Sequence, residues 1–305
     1  MKLAAVTSLF KYYPLPEALD QIARAGYEGV ELWGGMPHGY VEDFYDGGRL
    51  DTATARACRK LVDDAGLAPV QFLPEQCFYP VNYAIGDAPP FDGKRLRQRS
   101  LDYFKRAVDV TAALEFPRMC VTTPFWGWET KDGRWTHHGK HDLDLVIQSV
   151  GEINRHAQAQ GVQIIVEPLS YLETTGVETL DEVQALLSGV GSNNLKIMLD
   201  TGHIHVTARA LGRDSAAYFA EHVTVLGDRL VHIHLSDNLG DLDAHLVPGE
   251  GSFAFAPAFN ELRQSGYQGY LSAELMMFGD NPVPPKPHDL LVATRQFTQK
   301  VLADG

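Results

Sequence analysis

The sequence predicts an α/β fold, a (β/α)8 TIM barrel of eight parallel strands ringed by helices. Three observations predict it. Short apolar runs alternate with amphipathic segments eight times along 305 residues. The runs are continuous rather than alternating, the pattern of strands buried on both faces of a parallel sheet. Four of them end on a carboxylate or an imidazole, where a β/α barrel keeps its chemistry. A chain of this length holds one large barrel or two smaller domains. No linker composition marks a boundary, so residues 1–305 read as a single barrel domain. A doubly wound open sheet is the structural alternative, but no Gly-rich phosphate or dinucleotide loop follows the first strand.

The elements follow in order. A first strand is expected over Lys2–Thr7, then a helix on Leu15, Leu19 and Ile22, closed by Gly26. Gly29–Trp33 and Pro69–Leu73 read as the second and third strands. The connection Pro74–Lys94 contains Glu75, Phe78, Tyr79 and Tyr83 and is expected to border the barrel mouth. Arg118–Thr122 is the fourth strand. The connection Thr123–Lys140 then gathers Trp126, Trp128 and Trp135, three of the four tryptophans. It is either a lid or substrate wall, or a loop packing its own aromatics on the rim. Leu143, Val146, Ile147, Val150, Ile153 and Ala157 mark a helix stopped by Gly161. Val162–Val166, Leu195–Leu199, Leu230–Leu235 and Gly269–Glu274 complete the strands, and a last helix covers about His288–Leu302.

The composition is that of a globular protein, 45% hydrophobic and 21% charged. A net charge of −13 argues against nonspecific binding to nucleic acid or anionic membranes, though not against a local basic pocket. Cys58, Cys77 and Cys120 show neither pairing nor CxxC spacing, so they read as reduced, small buried side chains. No signal peptide and no apolar stretch long enough to span a bilayer is visible, so a soluble, cytoplasmic protein is expected.

The polar strand ends are Glu167, Asp200, His234 and Glu274. Hard oxygen ligands with one imidazole suit one divalent ion, Mn²⁺, Mg²⁺ or Co²⁺, and accommodate Zn²⁺. The absence of thiolates argues against a structural zinc site. Taken singly, a strand-end Asp caps the next helix and a lone His is a core residue. Four at the ends of strands five to eight weigh more, because burying several carboxylates together without a cation is costly. Such an ion polarises a sugar carbonyl or hydroxyl, and a nearby carboxylate removes a proton from the adjacent carbon. Return of the proton on the opposite face is epimerisation, and delivery to the neighbouring carbon is aldose–ketose isomerisation.

With these residues in view, the sequence resembles the xylose isomerase-like TIM barrel superfamily of sugar isomerases, epimerases and endonuclease IV. Within it the sequence is similar to ketose 3-epimerases of the D-tagatose and fructoselysine type. The resemblance runs from Gly26-Tyr27-Glu28-Gly29-Val30-Glu31-Leu32-Trp33 through Val166-Glu167-Pro168-Leu169 and Leu199-Asp200-Thr201-Gly202-His203. It continues in His232-Ile233-His234-Leu235-Ser236-Asp237, His245-Leu246-Val247-Pro248-Gly249 and Gly269-Tyr270-Leu271-Ser272-Ala273-Glu274-Leu275. It implies that Glu167, Asp200, His234 and Glu274 are metal ligands, and that Glu167 and Glu274 are also the paired acid/base groups at carbon 3. Glu173 and His203 match residues that contact the substrate's carbonyl end. A dimer or tetramer is implied by the same analogy.

One departure stands out. Tagatose-type enzymes carry an Arg shortly after the metal His, near Gly240 here. This chain instead offers Asp243-Ala244-His245. That pair resembles extra metal ligands of endonuclease IV, but its early-strand His partners are missing, so one metal is expected rather than three. His245 is expected at the mouth, touching substrate or holding its loop. Glu31, Trp33 and His38 are expected after strand two, shaping the pocket, with Trp33 either stacking on a sugar or packing in the core. His232 points the same way as His234 from a deeper layer and reads as structural. His137, His138 and His141 read as a solvated helix approach.

The leading expectation is therefore a metal-dependent sugar 3-epimerase or isomerase. A dehydratase on the same scaffold shares the proton abstraction. The acidic balance and missing ligands weigh against a nuclease, and a noncatalytic sugar-binding barrel predicts no turnover.

Overall fold

The computed structural model describes residues 1–76, 79, 93–123, 143–174, 176–276 and 286–304, with backbone alone at 128–129 and 135–136. Eight strands close a parallel barrel: β1 Lys2–Val6, β2 Gly29–Gly34, β3 Ala68–Pro74, β4 Arg118–Thr122, β5 Gln163–Glu167, β6 Leu195–Asp200, β7 Leu230–Leu235 and β8 Tyr270–Ala273. Each pairs with its sequence neighbours, and β1 closes on β8 in the register Lys2–Tyr270 to Ala5–Ala273. Around them lie α1 Leu15–Arg24, α2 Thr52–Asp64, α3 Gly93–Ala113, α4 Leu143–Ala159, α5 Leu180–Val190, α6 Thr201–Ala210, α7 Ser215–Leu226, α8 Phe255–Gln264 and α9 Pro287–Asp304. The sequence-predicted (β/α)8 barrel is thus the fold.

Local chemistry sets the helix starts. Asp51 accepts the amides of Ala53 and Thr54 at the start of α2, and Thr179 and Glu182 form a reciprocal capping box on α5. Asp200 and Asp214 cap α6 and α7. Gly26, at φ +85°, takes the left-handed turn that ends the first β/α unit.

The two faces of the barrel wall differ in chemistry. Outward side chains such as Val30, Leu32, Ile164, Val166, Ile197, Leu199 and Ile233 join one large core with the helices. Inward ones form only a small apolar plug of Val6, Leu73, Cys120, Ile165 and Met198. Beside and around the plug the described interior is polar, with Glu31 level with Val6 and His232 level with Met198. The alternation of a strand delivers both faces from one run.

Several boundaries differ from expectation. Glu167 and Asp200 close their strands, whereas Glu274 lies one residue past β8. Glu31 and Trp33 lie within β2 rather than after it, and the strand runs one residue past the expected Trp33, to Gly34. Two helices, α6 and α7, fill the connection between β6 and β7, and a two-residue hairpin pairs Tyr45–Asp46 with Arg49–Leu50. A second hairpin pairs Trp128–Glu129 with Trp135–Thr136 inside the long connection after β4. Cys77, Phe78, Tyr83, Trp126, His137, His138 and His141, with the side chains of Trp128 and Trp135, lie outside the described residues. Cys58 and Cys120 are free and buried. Among the described residues no helix is long and apolar enough to cross a membrane.

Candidate metal centre

Glu167, Asp200, His234 and Glu274 converge from four consecutive strands. Each offers a ligating atom, and these atoms lie within 4.8 Å of one another. All four residues are buried. His234 Nδ1 lies 3.0 Å from Glu167 Oε1 and 2.9 Å from Glu274 Oε2. Asp200 divides its two oxygens. Oδ1 accepts the amides of Gly202 at 2.6 Å and His203 at 3.1 Å, and the Ser236 hydroxyl at 2.8 Å. Oδ2 is buried with no hydrogen-bond partner. A buried carboxylate oxygen without a donor is costly, so this atom suits a cation or a proton.

The electrostatics agree. Burial, with the carboxylates of Glu274 and Asp243, raises the Asp200 carboxyl above its usual range. Burial opposes charge on His234, yet Glu274, Glu31 and Glu167 together hold its imidazole well above its usual range. Three carboxylates around one imidazole attract positive charge strongly. The donor set and the orphaned oxygen therefore fit a divalent ion.

Beneath this group lies a second polar layer. Glu31, fully buried, meets His232 Nε2 at 2.6 Å, His234 Nε2 at 3.1 Å and Gln71 Nε2 at 2.5 Å. Burial disfavours its charge, but the two imidazoles outweigh it and hold the carboxyl well below its usual range. Glu31 therefore does not line the mouth; it sits under the centre. His232 lies in this deeper layer, as its spacing from His234 implied.

A third group sits beside the first. Asp243 Oδ2 lies 2.7 Å from His245 Nε2 and 3.2 Å from His203 Nε2. Glu173 Oε2 is 3.3 Å from His203 Nε2 and accepts the Ser170 hydroxyl at 3.0 Å. His203 Nδ1 reaches within 3.7 Å of Glu167 Oε1, so this group touches the tetrad directly. Against burial, Asp243 above all raises His245 to about 10, and Asp243 with Glu173 lifts His203 well above its usual range. The imidazoles in turn hold Asp243 low, despite its burial. The ligating atoms of His203, Asp243 and His245 also lie within 4.8 Å of one another. Their charges differ from the tetrad's. Asp243 and Glu173 face two imidazoles here, a more even balance than in the tetrad, although Asp243 Oδ1 is also buried without a hydrogen-bond partner.

The loop carrying Asp243 and His245 is pinned by Asp237. Its main chain exchanges hydrogen bonds with Leu246 at 3.0 and 2.8 Å. Its carboxylate accepts four main-chain amides: Asn238 at 2.9 Å, Phe253 at 3.1 Å, Gly249 at 2.8 Å and Gly251 at 3.0 Å. Gly251 passes so close to the Asn238 main chain and the Asp237 carboxylate that a Cβ there would collide with both. His245 takes φ +44°, left-handed for a non-glycine residue. Such backbone strain needs a surrounding structure that enforces it. His245 Nδ1 donates to the main-chain oxygen of Glu274 at 3.1 Å, tying this loop to the tetrad.

Trp33 is half-buried against the apolar plug, and its amide donates to Thr7 Oγ1 at 3.0 Å. Its ring meets His38 edge-on, with centroids 5.9 Å apart. The structure thus gathers Glu167, Asp200, His234, Glu274, Glu173, His203 and His245, and leaves Trp33 at the side of β2. Sequence reasoning missed Asp237 and the tie from Glu31 to His232 and Gln71. A charged residue inside the apolar run Val30-Glu31-Leu32 was the available signal for the second.

The profile of the family described as "Xylose isomerase-like TIM barrel" matches residues 19–300. A fructoselysine 3-epimerase of Shigella flexneri is 27% identical over 284 residues, spanning 92% of this chain and 93% of its own length. An inosose dehydratase of Clostridium botulinum is 24% identical over 55% of this chain and 57% of its own length. A solved structure of an L-ribulose 3-epimerase superposes with a TM-score of 0.75 at 16% identity, covering 99% of this chain and 95% of that one.

Proposed function

The chain belongs to the xylose isomerase-like TIM barrel family, and on that premise we propose that it is a divalent-metal-dependent ketose 3-epimerase acting on a sugar or sugar derivative. One observation carries the reading: Glu167 Oε1 and Glu274 Oε2 approach His234 Nδ1 at 3.0 and 2.9 Å from separate strands of the barrel. Two carboxylates arriving from different strands can flank a substrate carbon, one on each face. The fructoselysine 3-epimerase, alike over nearly the whole chain, supports the same chemistry.

The deprotonated glutamate takes the proton from carbon 3. The electron pair of that C–H bond moves toward the adjacent carbonyl, giving an enediolate. The second glutamate, protonated, returns a proton to the opposite face. Configuration at carbon 3 inverts and the two glutamates exchange protonation states. Held by Glu167, Asp200, His234 and Glu274, a divalent ion (Mn²⁺, Mg²⁺ or Co²⁺ by donor type) would supply Lewis-acid polarisation of the substrate oxygens. His203, beside Glu173, would contact the carbonyl end of the substrate, while both ring nitrogens of His245 are taken, by Asp243 and by the Glu274 main chain, so that His245 would hold its loop at the mouth. Trp33 would contact the sugar from β2.

A dehydratase is the second reading, favoured by the inosose dehydratase likeness. It shares the proton abstraction but then expels a β-hydroxyl. Proton NMR in deuterium oxide across a ketose panel separates them. The expected result is deuterium at carbon 3 with formation of the 3-epimer and no loss of water. An unsaturated product would establish the dehydratase instead, and no exchange with any ketose would defeat both.

A further inference from the structure

We propose that Glu31 is the positioning residue of the metal centre: by accepting the Nε2–H of His234 it commits Nδ1 of that ring to the cation. The inference rests on the metal reading above and goes beyond it to a residue that touches neither cation nor substrate.

The geometry is specific. Glu31 belongs to β2, and β1 and β8 stand between β2 and β7 in the barrel order. Its side chain therefore reaches across the barrel interior to His234. Neutral imidazole carries one N–H and one lone pair. His234 Nδ1 faces Glu167 and Glu274 at 3.0 and 2.9 Å, while Nε2 faces only Glu31, at 3.1 Å, among its hydrogen-bond partners. Carboxylates face both nitrogens and can only accept, but a cation among Glu167, Asp200 and Glu274 would take the Nδ1 lone pair, and the proton on His234 then belongs on Nε2, donated to Glu31. The lone pair on Nδ1 then points at the tetrad. A carboxylate behind a metal-bound imidazole fixes the ring and raises its basicity.

Glu31 is itself immobilised. His232 Nε2 at 2.6 Å occupies Oε1, and Gln71 Nε2 at 2.5 Å shares Oε2 with His234. Gln71 is the register partner of Glu31 on β3. His232 Nδ1 has no hydrogen-bond partner, so the polar contact of that ring is spent on Glu31. A fully buried carboxylate is an expensive way to fill space, since an apolar residue of similar volume would stabilise at least as well. A positioning role accounts for it. The ligating atoms of Glu31, His232 and His234 also lie within 4.8 Å of one another, so a separate cation between them is the competing explanation.

The test titrates Mn²⁺ into the metal-stripped full chain and reads free Mn²⁺ by electron paramagnetic resonance. Glu31→Gln can satisfy one imidazole but presents an amide N–H to the other. It is expected to weaken binding by about 10–100-fold at unchanged stoichiometry. Glu31→Asp, which keeps the carboxylate, is expected to recover part of the loss. His232→Asn, which leaves the Glu31–His234 contact in place, is expected to weaken binding less than Glu31→Gln. Unchanged affinity in a folded Glu31→Gln protein overturns the inference while leaving the metal reading intact. Loss of a whole equivalent of Mn²⁺ overturns it in favour of a separate cation. No uptake by the wild type overturns both. Should Glu31→Gln fail to fold, long-range ¹⁵N NMR on the wild type loaded with diamagnetic Zn²⁺ decides. Protonated Nε2 with coordinated Nδ1 on His234 is expected, and coordinated Nε2 contradicts the inference.

Discussion

The strand-borne tetrad and the loop-borne group beside it use the same residue types to opposite ends. Glu167, Asp200, His234 and Glu274 set three carboxylates against one imidazole. Asp243 and Glu173 set two carboxylates against His203 and His245. The first is unbalanced and leaves Asp200 Oδ2 without a donor. The second sets its carboxylates against two imidazoles, though Asp243 Oδ1 is likewise buried without a partner. The scaffolds differ as well: rigid barrel strands present the tetrad, whereas a loop pinned by one buried carboxylate presents Asp243 and His245. Strands fix a charge excess that suits a cation, and the loop carries groups that can vary beside it. That division matches the general placement of barrel specificity in the βα connections.

The largest expected break in this contrast comes from the carboxylates themselves. Glu167→Gln or Glu274→Gln should lower turnover by about 10²–10⁴-fold, the range of a lost general acid or base, read by carbon-3 exchange in deuterium oxide. Equivalent losses are not expected from Asp243→Asn. Next in size is removal of the metal. An ion present at about 100 times its Kd stabilises by about 2.7 kcal/mol, so chelation should lower the melting temperature and re-addition of Mn²⁺ should restore it. A chelator-insensitive melt would remove the cation from the account.

A smaller effect should separate the two groups. Asp237→Asn leaves the tetrad untouched but cannot accept four amides. A loss of about 1–3 kcal/mol is expected from unsatisfied buried donors, by urea denaturation, with faster amide exchange across the 237–253 loop. KM should rise while Mn²⁺ affinity holds; a matching fall in Mn²⁺ affinity would show that loop and tetrad are one unit. The smallest effect is a pH dependence. His245 is raised from an ordinary value of 6.5 to about 10, chiefly by Asp243 acting against burial. A raised imidazole stabilises fully below 6.5, and that stabilisation fades as pH climbs through about 10. In the metal-free protein, Asp243→Asn should therefore cost stability at neutral pH and flatten the alkaline decline, in melting temperatures compared from pH 7 to pH 11. An unchanged alkaline slope would detach His245 from Asp243.

Legibility in the sequence followed the same contrast. Continuous apolar runs mark parallel strands, and a polar residue ending such a run is a local signal, so the barrel and all four tetrad positions could be read directly. Glu173 and His203 needed a family resemblance, because spacing along a chain says little about where a loop or helix side chain points. The partners of Glu31 were hidden for another reason. His232 and His234 lie 201 and 203 residues away, and a contact across a barrel interior leaves no periodicity. Asp237 was read only as part of a motif, since its four donors come from a loop whose path is set by Gly249, Gly251 and the close approach of the Asn238 main chain.

The claim at the centre of this contrast is that the tetrad, and not its neighbour, holds the cation. Metal analysis by mass spectrometry of the purified protein after Mn²⁺ loading and desalting tests it most directly. One ion per chain is predicted, lost in Asp200→Asn and retained in Asp243→Asn. Two or more ions per chain, or loss of the ion in Asp243→Asn, would contradict it.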